Sequence, residues 1–217
     1  MPRQYGRKRN HPRKHYNHRS GEVRVATQNH RRGYFPITNL APSARVVKLR
    51  FSINAGDANQ IASSTGSIVS WPYRANGMYD CYAGAGGAQP RGFDQYMALY
   101  RHFCVHYSRI KLQFMMAAES TSSPMKVGVY LRDTTTALAS HQDIGEYPRT
   151  RQIVLTREVP VGKVSMGFNA RKFFHVKDPM DEPNLHGTSG ADPTQAAAWN
   201  VFGYALNGVS ESCIFTG

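Results

Sequence analysis

Apolar and polar residues alternate with a period of two in several stretches of this chain, the pattern of a strand with one buried face. In residues 45–54, Val47, Leu49, Phe51 and Ile53 alternate with Lys48, Arg50 and Ser52, which predicts a first strand with a core face and a basic face. Residues 55–66 are polar and contain Gly and Ser. Residues 67–74 read as a second extended piece, and Pro72 within it points to an edge or a bulge, because proline cannot donate to a ladder. A Gly-rich loop spans 76–92. Residues 93–103 predict a helix, with Asp94 near its free backbone donors and Phe93, Met97, Tyr100 and Leu99/Phe103 near helical spacing. It leads into residues 107–116, where Ile110, Leu112 and Phe114 alternate with Arg109, Lys111 and Gln113. Further strands are expected at 125–132, 152–158, 163–169 (extending toward Val176) and 199–206, and the longest connection at 177–194. Six to eight strands, one short helix and long loops predict an all-β domain, either a sandwich or a barrel.

Charge changes this picture at one end only. The chain of 217 residues carries 27 Lys/Arg against 14 Asp/Glu, a net charge of +13. Ten of those cations fall in the first 32 residues (Arg3, Arg7, Lys8, Arg9, Arg13, Lys14, Arg19, Arg24, Arg31 and Arg32), against one acid, Glu22. That segment holds nine of the thirteen net charges and almost nothing to bury. It is expected to be a disordered arm that meets a polyanion. Residues 33–42 read as a linker and 43–217 as the globular body, long enough for one core. No run approaches the roughly 18–20 apolar residues that cross a bilayer, and no apolar stretch follows the N-terminal charges as in a secretory signal. Pro2, Pro12 and four histidines argue against an amphipathic transit peptide.

Candidate chemistry other than charge is thin. Cys81, Cys104 and Cys213 form no CxxC pair and are expected to be free thiols. Gly84–Gly87 lacks the Lys-Ser/Thr of a phosphate loop. His102 and His106 are four apart without the accompanying Glu of a helical zinc pair. Asp178, Asp181 and Glu182, in a loop with two prolines, could hold a calcium ion at a subunit contact, although a solvated acidic loop is the better reading. No catalytic set and no cofactor site emerges, so no enzymatic activity is expected. The arm is the strong feature. Its cations can each neutralise a phosphate, Tyr5 and Tyr16 can stack on unpaired bases, and Gly6–Arg9 (GRKR) has the form of a nuclear import signal.

Residues 73–114, YRANGMYDCYAGAGGAQPRGFDQYMALYRHFCVHYSRIKLQF, resemble the capsid proteins of circovirus-like circular single-stranded DNA viruses, the group encoding its own replication initiator. The matching features are the RANG-hydrophobic-YD entry, the Gly-rich loop, the QPxGFDQ turn into a helix and the basic alternating strand after it. PSARVVKLRFS at 42–52 and the Arg-rich start also fit. The resemblance implies an eight-stranded antiparallel jelly-roll sandwich with a short helix before the fourth strand, whose copies close into a small icosahedral (T=1-type) shell with the basic arms inside. The family's last strand would begin near Cys213, leaving CIFTG, so a short or truncated last strand is expected.

These observations together predict a self-assembling coat protein that packages single-stranded DNA through its arm, with Lys48, Arg50, Arg109 and Lys111 as further nucleic-acid contacts. Its partners would be copies of itself, the genome, a host nuclear import receptor and a host surface receptor, without membrane insertion, and its locations the virion and the host nucleus. The rival is a cellular single-strand-binding protein on a small β-barrel, which would carry its basic and aromatic residues on one groove of the body.

Overall fold

The computed structural model describes residues 43–52, 60–63, 68–84, 88–117, 123–206 and 211–217. Contacts divide the chain into Met1–Leu40 and Ala41–Gly217, and the second unit holds every element named below. Ten strands follow in chain order: β1 (Gln60–Ser63), β2 (Val69–Arg74), β3 (Phe103–Cys104), β4 (Tyr107–Met116), β5 (Met125–Arg132), β6 (Thr150–Leu155), β7 (Val161–Asn169), β8 (His186–Gly187), β9 (Ala198–Ala205) and β10 (Glu211–Thr216). Three short helices join them: α1 (Phe93–Met97), α2 (His141–Glu146) and α3 (Ala170–Phe173).

β3 and β8 make a small ribbon of their own, and the other eight strands form two four-stranded antiparallel sheets. One sheet has the order β1-β10-β4-β7, the other β2-β9-β5-β6. The pairing is nested. β5 pairs with β6, β4 with β7, β2 with β9 and β1 with β10, as though one long hairpin had been rolled across two sheets. That is the jelly roll, a double Greek-key sandwich.

The alternation read in the sequence explains the inner faces. Ile110, Leu112 and Phe114 of β4 are buried, while Arg109 and Lys111 are exposed. They meet Val127, Val129 and Leu131 of β5 and Val201 of β9 in a single core between the sheets. Gly128 of β5 is required by close approach to β6, since a Cβ there would stand 2.2 Å from the Arg151 carbonyl oxygen. Pro72 lies on β2, an edge strand, as expected. A second, smaller cluster lies outside the β2-β9-β5-β6 sheet, where Ile144 of α2 covers Tyr130, Phe202 and Tyr204. This lid buries both faces of β9.

Several sequence expectations are corrected. Described residues 43–52 join no strand. Leu49 and Phe51 are only half buried, Phe51 packing against the core, while Val46 is 92% exposed. The free edge of β10 is taken instead by β1, whose Ile61 is fully buried; Ile53 lies outside the described residues. The helix expected over 93–103 stops at Met97. The reason is geometric: a helix would carry Phe93 and Phe103 about 15 Å apart, whereas their rings meet edge to face at 5.4 Å because β3 folds back. Gly92, at φ +89°, supplies the left-handed turn into α1. The strand expected at 152–158 runs from Thr150 to Leu155, and β7 gives way to α3 rather than continuing toward Val176. The last strand is no stub: β10 has six residues and pairs on both sides.

The RANG-hydrophobic-YD motif has a structural role. The buried Asp192 carboxylate accepts the backbone N–H groups of Met78, Tyr79 and Asp80 at 2.9, 3.0 and 3.1 Å and pairs with the Arg74 guanidinium at 3.1 Å. The Asn76 amide donates to the Gln195 carbonyl and accepts from the Ala197 N–H, both at 2.8 Å. Burial pushes the Asp192 carboxyl above its ordinary value, while the Tyr79 N–H, the Arg74 charge and the Met78 and Asp80 N–H groups pull it back.

Candidate nucleic-acid interface

The two outer sheet faces differ. The β2-β9-β5-β6 face is capped by α2. On the opposite side of the sandwich, β4 and β7 present Tyr107, Arg109, Lys111, Lys163 and Ser165 to solvent. Neither strand contains an Asp or Glu. Among the described residues, none of these three cations has a carboxylate within ion-pair distance.

Register fixes their arrangement. Lys111 stands opposite Ser165, and Arg109 opposite Gly167. The Arg109 guanidinium leans diagonally and donates to the Ser165 hydroxyl at 3.3 Å. Tyr107 leans the same way across Gly167: a Cβ on that glycine would stand 3.0 Å from the tyrosine hydroxyl and 3.7 Å from two ring atoms. The equivalent diagonal partner of Lys111 is Lys163, about 7–8 Å away by strand geometry. Both lysines line an open basin of about 610 Å³ with Ser52, Gln113, Ser165, Thr216 and Gly217. Two lysines lining one basin make it electropositive and favour an anion there.

Of the body residues proposed from sequence, Lys48, Arg50, Arg109 and Lys111 are all exposed. The structure brings Arg109 and Lys111 together on β4. Lys48 and Arg50 lie on the 43–52 segment, which touches α1 through Arg45, 5.9 Å over the Tyr96 ring, and reaches the basin through Ser52, whose hydroxyl donates to the Gly217 carbonyl at 3.1 Å. Lys163 escaped the sequence reading. The signal was present, since the 161–169 stretch alternates Lys163 and Ser165 with Val164 and Met166, but one cation in nine residues gives no basic row. The ten arm cations, Arg3 to Arg32, lie outside the described residues.

The remaining candidates have structural places. Asp178 does not sit in a carboxylate cage: its side chain caps the Met180 N–H at 3.0 Å, opening a short 3-10 turn at Pro179–Asp181. Among the described residues no group of His, Cys, Asp and Glu is placed to hold a metal ion. His102 and His106 flank β3, outside any helix. Cys81, Cys104 and Cys213 are free, and burial pushes their thiols up to about 12, 11 and 12, with nearby carboxylates adding to the first two.

No family model and no curated protein matches this chain. Among solved structures, it is similar to one of Desmodium yellow mottle tymovirus at 13% identity, covering 82% of this chain and 93% of that one with a TM-score of 0.36. It is also similar to one of Broad bean stain virus at 9% identity and a TM-score of 0.38, covering 73% of this chain and 40% of that one. The fold assignment rests on the nested strand pairing itself.

Proposed function

We propose that this chain is a viral capsid protein that self-assembles into a small icosahedral, T=1-type shell and packages single-stranded DNA. The observation that carries this reading is the asymmetry of the jelly roll. One outer sheet face is partly covered by a helix, and on the other, among the described residues, β4 and β7 carry exposed cations and no acid. A surface of that kind turns toward a polyanion, and the arm adds ten further cations to the same task. Residues 1–32 act as the nucleic-acid-binding arm, 33–42 as a linker and 43–217 as the shell domain. Lys48, Arg50, Arg109 and Lys111 contact the genome from the body. The role is structural rather than enzymatic. The resemblance of residues 73–114 to circovirus-like capsids points to DNA as the cargo and to nuclear import through the GRKR run.

Electron microscopy of the purified full-length chain, followed by nuclease digestion of the particle contents, tests this. Closed shells of uniform size holding DNase-sensitive, single-strand-specific nucleic acid are expected. Small soluble complexes on oligonucleotide without shells would instead favour a cellular single-strand-binding protein, and RNase-sensitive contents would move the cargo from DNA to RNA.

A further inference from the structure

We infer that Tyr107 is a base-stacking platform, and that with Arg109, Lys111 and Lys163 it forms a track selective for single-stranded over double-stranded nucleic acid. The inference rests on the proposed packaging role and names the part of the surface that reads strandedness.

Tyr107 is 61% exposed, although it lies on a ten-residue strand whose inner positions are core. A tyrosine can hide one ring face at little cost. Here the hydroxyl end of the side chain lies beside Gly167, which has no side chain to compete, and most of the residue is exposed to solvent. An aromatic ring exposed on a sheet can stack on an unpaired base, a contact worth about 1–3 kcal/mol per base. A duplex offers it nothing, because its bases are already stacked and show only their edges.

The cations are placed to hold the strand that such a base belongs to. Arg109 stands two residues along β4, about 7 Å away, and its bond to Ser165 keeps it low on the sheet. Lys111 follows at the same spacing, and Lys163 shares its basin. Gln113, Ser165 and Thr216 add uncharged hydrogen-bonding groups to the floor. A backbone running along β4 would thus meet ring, guanidinium and paired ammonium groups in succession, with no carboxylate on either strand to repel it.

The test uses the full-length chain with a fluorescein-labelled 30-nucleotide oligo(dT) and a 30-base-pair duplex, comparing wild type, Tyr107→Leu, Tyr107→Phe and Lys163→Gln. Tyr107→Leu should weaken oligo(dT) binding about tenfold and leave duplex binding unchanged. Tyr107→Phe should retain wild-type affinity. Lys163→Gln should weaken both probes by a similar small factor. Ultraviolet crosslinking of a bromodeoxyuridine oligonucleotide should map to the peptide containing Tyr107. Equal losses on both probes with Tyr107→Leu, or crosslinks confined to residues 1–42, would overturn the inference while leaving the packaging role intact. A wild-type chain that binds neither probe would overturn the packaging role and the track with it.

Discussion

Gly128 shows how little slack single positions leave in the core. A methyl group there meets the Arg151 carbonyl oxygen and, at 2.8 Å, the Gln152 Cα, both main-chain atoms that no rotamer change can move aside. Gly128→Ala should therefore cost about 1–3 kcal/mol, read as a lowered denaturation midpoint. The thiols make a second case at this scale. With folded values near 11 to 12, they stay protonated at pH 8, so modification by a thiol reagent should be slow in the native chain and fast in urea, with half-buried Cys104 reacting first. Above about pH 9 the unfolded chain releases these protons before the folded one does, so their contribution to stability falls as pH rises. Asp192 has the same sign in a lower range. Its carboxyl is raised, so the folded chain binds that proton more tightly, and this group's contribution favours folding more as pH falls from neutrality. Mild acid alone should not release the Met78–Asp80 turn, measured as unchanged amide protection there.

Among the elements, α2 is too short to be helical alone, and two devices hold it. The Ser140 hydroxyl accepts the Gln142 N–H at 3.1 Å, and Ile144 is fully buried against the sheet. Ser140→Ala should cost about 1 kcal/mol and Ile144→Ala about 2–5 kcal/mol. Comparable losses from both, in denaturant titrations, would mean that the lid is held by its cap rather than by packing. The same element explains why part of the fold was not legible in the sequence. β4 has one wet face, so its alternation gave the strand boundaries and the burial phase of Ile110, Leu112 and Phe114. β9 is covered on both faces, and Asn200 and Phe202 beneath the lid carry no periodic signal that would reveal what covers them. Residues 45–52 mislead for the opposite reason: they alternate convincingly yet pair with no strand, because the edge they would occupy belongs to Gln60–Ser63. At the candidate interface, Arg109 and Lys111 were legible as a row on one strand. Lys163 became part of the site only through the register of β7 against β4, which no local pattern contains.

At the scale of the whole molecule, charge balance limits what the arm can do. Roughly sixty copies with nine net arm charges each would neutralise about 540 phosphates, whereas the 217 codons of this chain alone require 651 nucleotides. In the proposed shell the body and small cations would have to supply the difference. Replacing Lys48, Arg50, Arg109 and Lys111 with Gln should leave folded subunits but lower the DNA content per particle or raise the particle's need for Mg²⁺, measured by absorbance ratio and by chelation. Full content without a new cation requirement would leave the deficit to mobile ions. The nested pairing also sets a clock. Among the described residues β1 pairs with one strand, and that partner, β10, lies about 150 residues further along the chain. At 5–20 residues per second, roughly 8–30 s of synthesis separate the two. Once β4 has been made, for roughly the last 5–19 s of that interval, the edge of β4 that β10 will occupy stands open, so a nascent chain offers chaperones, proteases and neighbouring nascent chains an unpaired strand. Chains stalled on the ribosome before Glu211 should be cleaved by protease within the first sheet, and those in which β10 has emerged should resist.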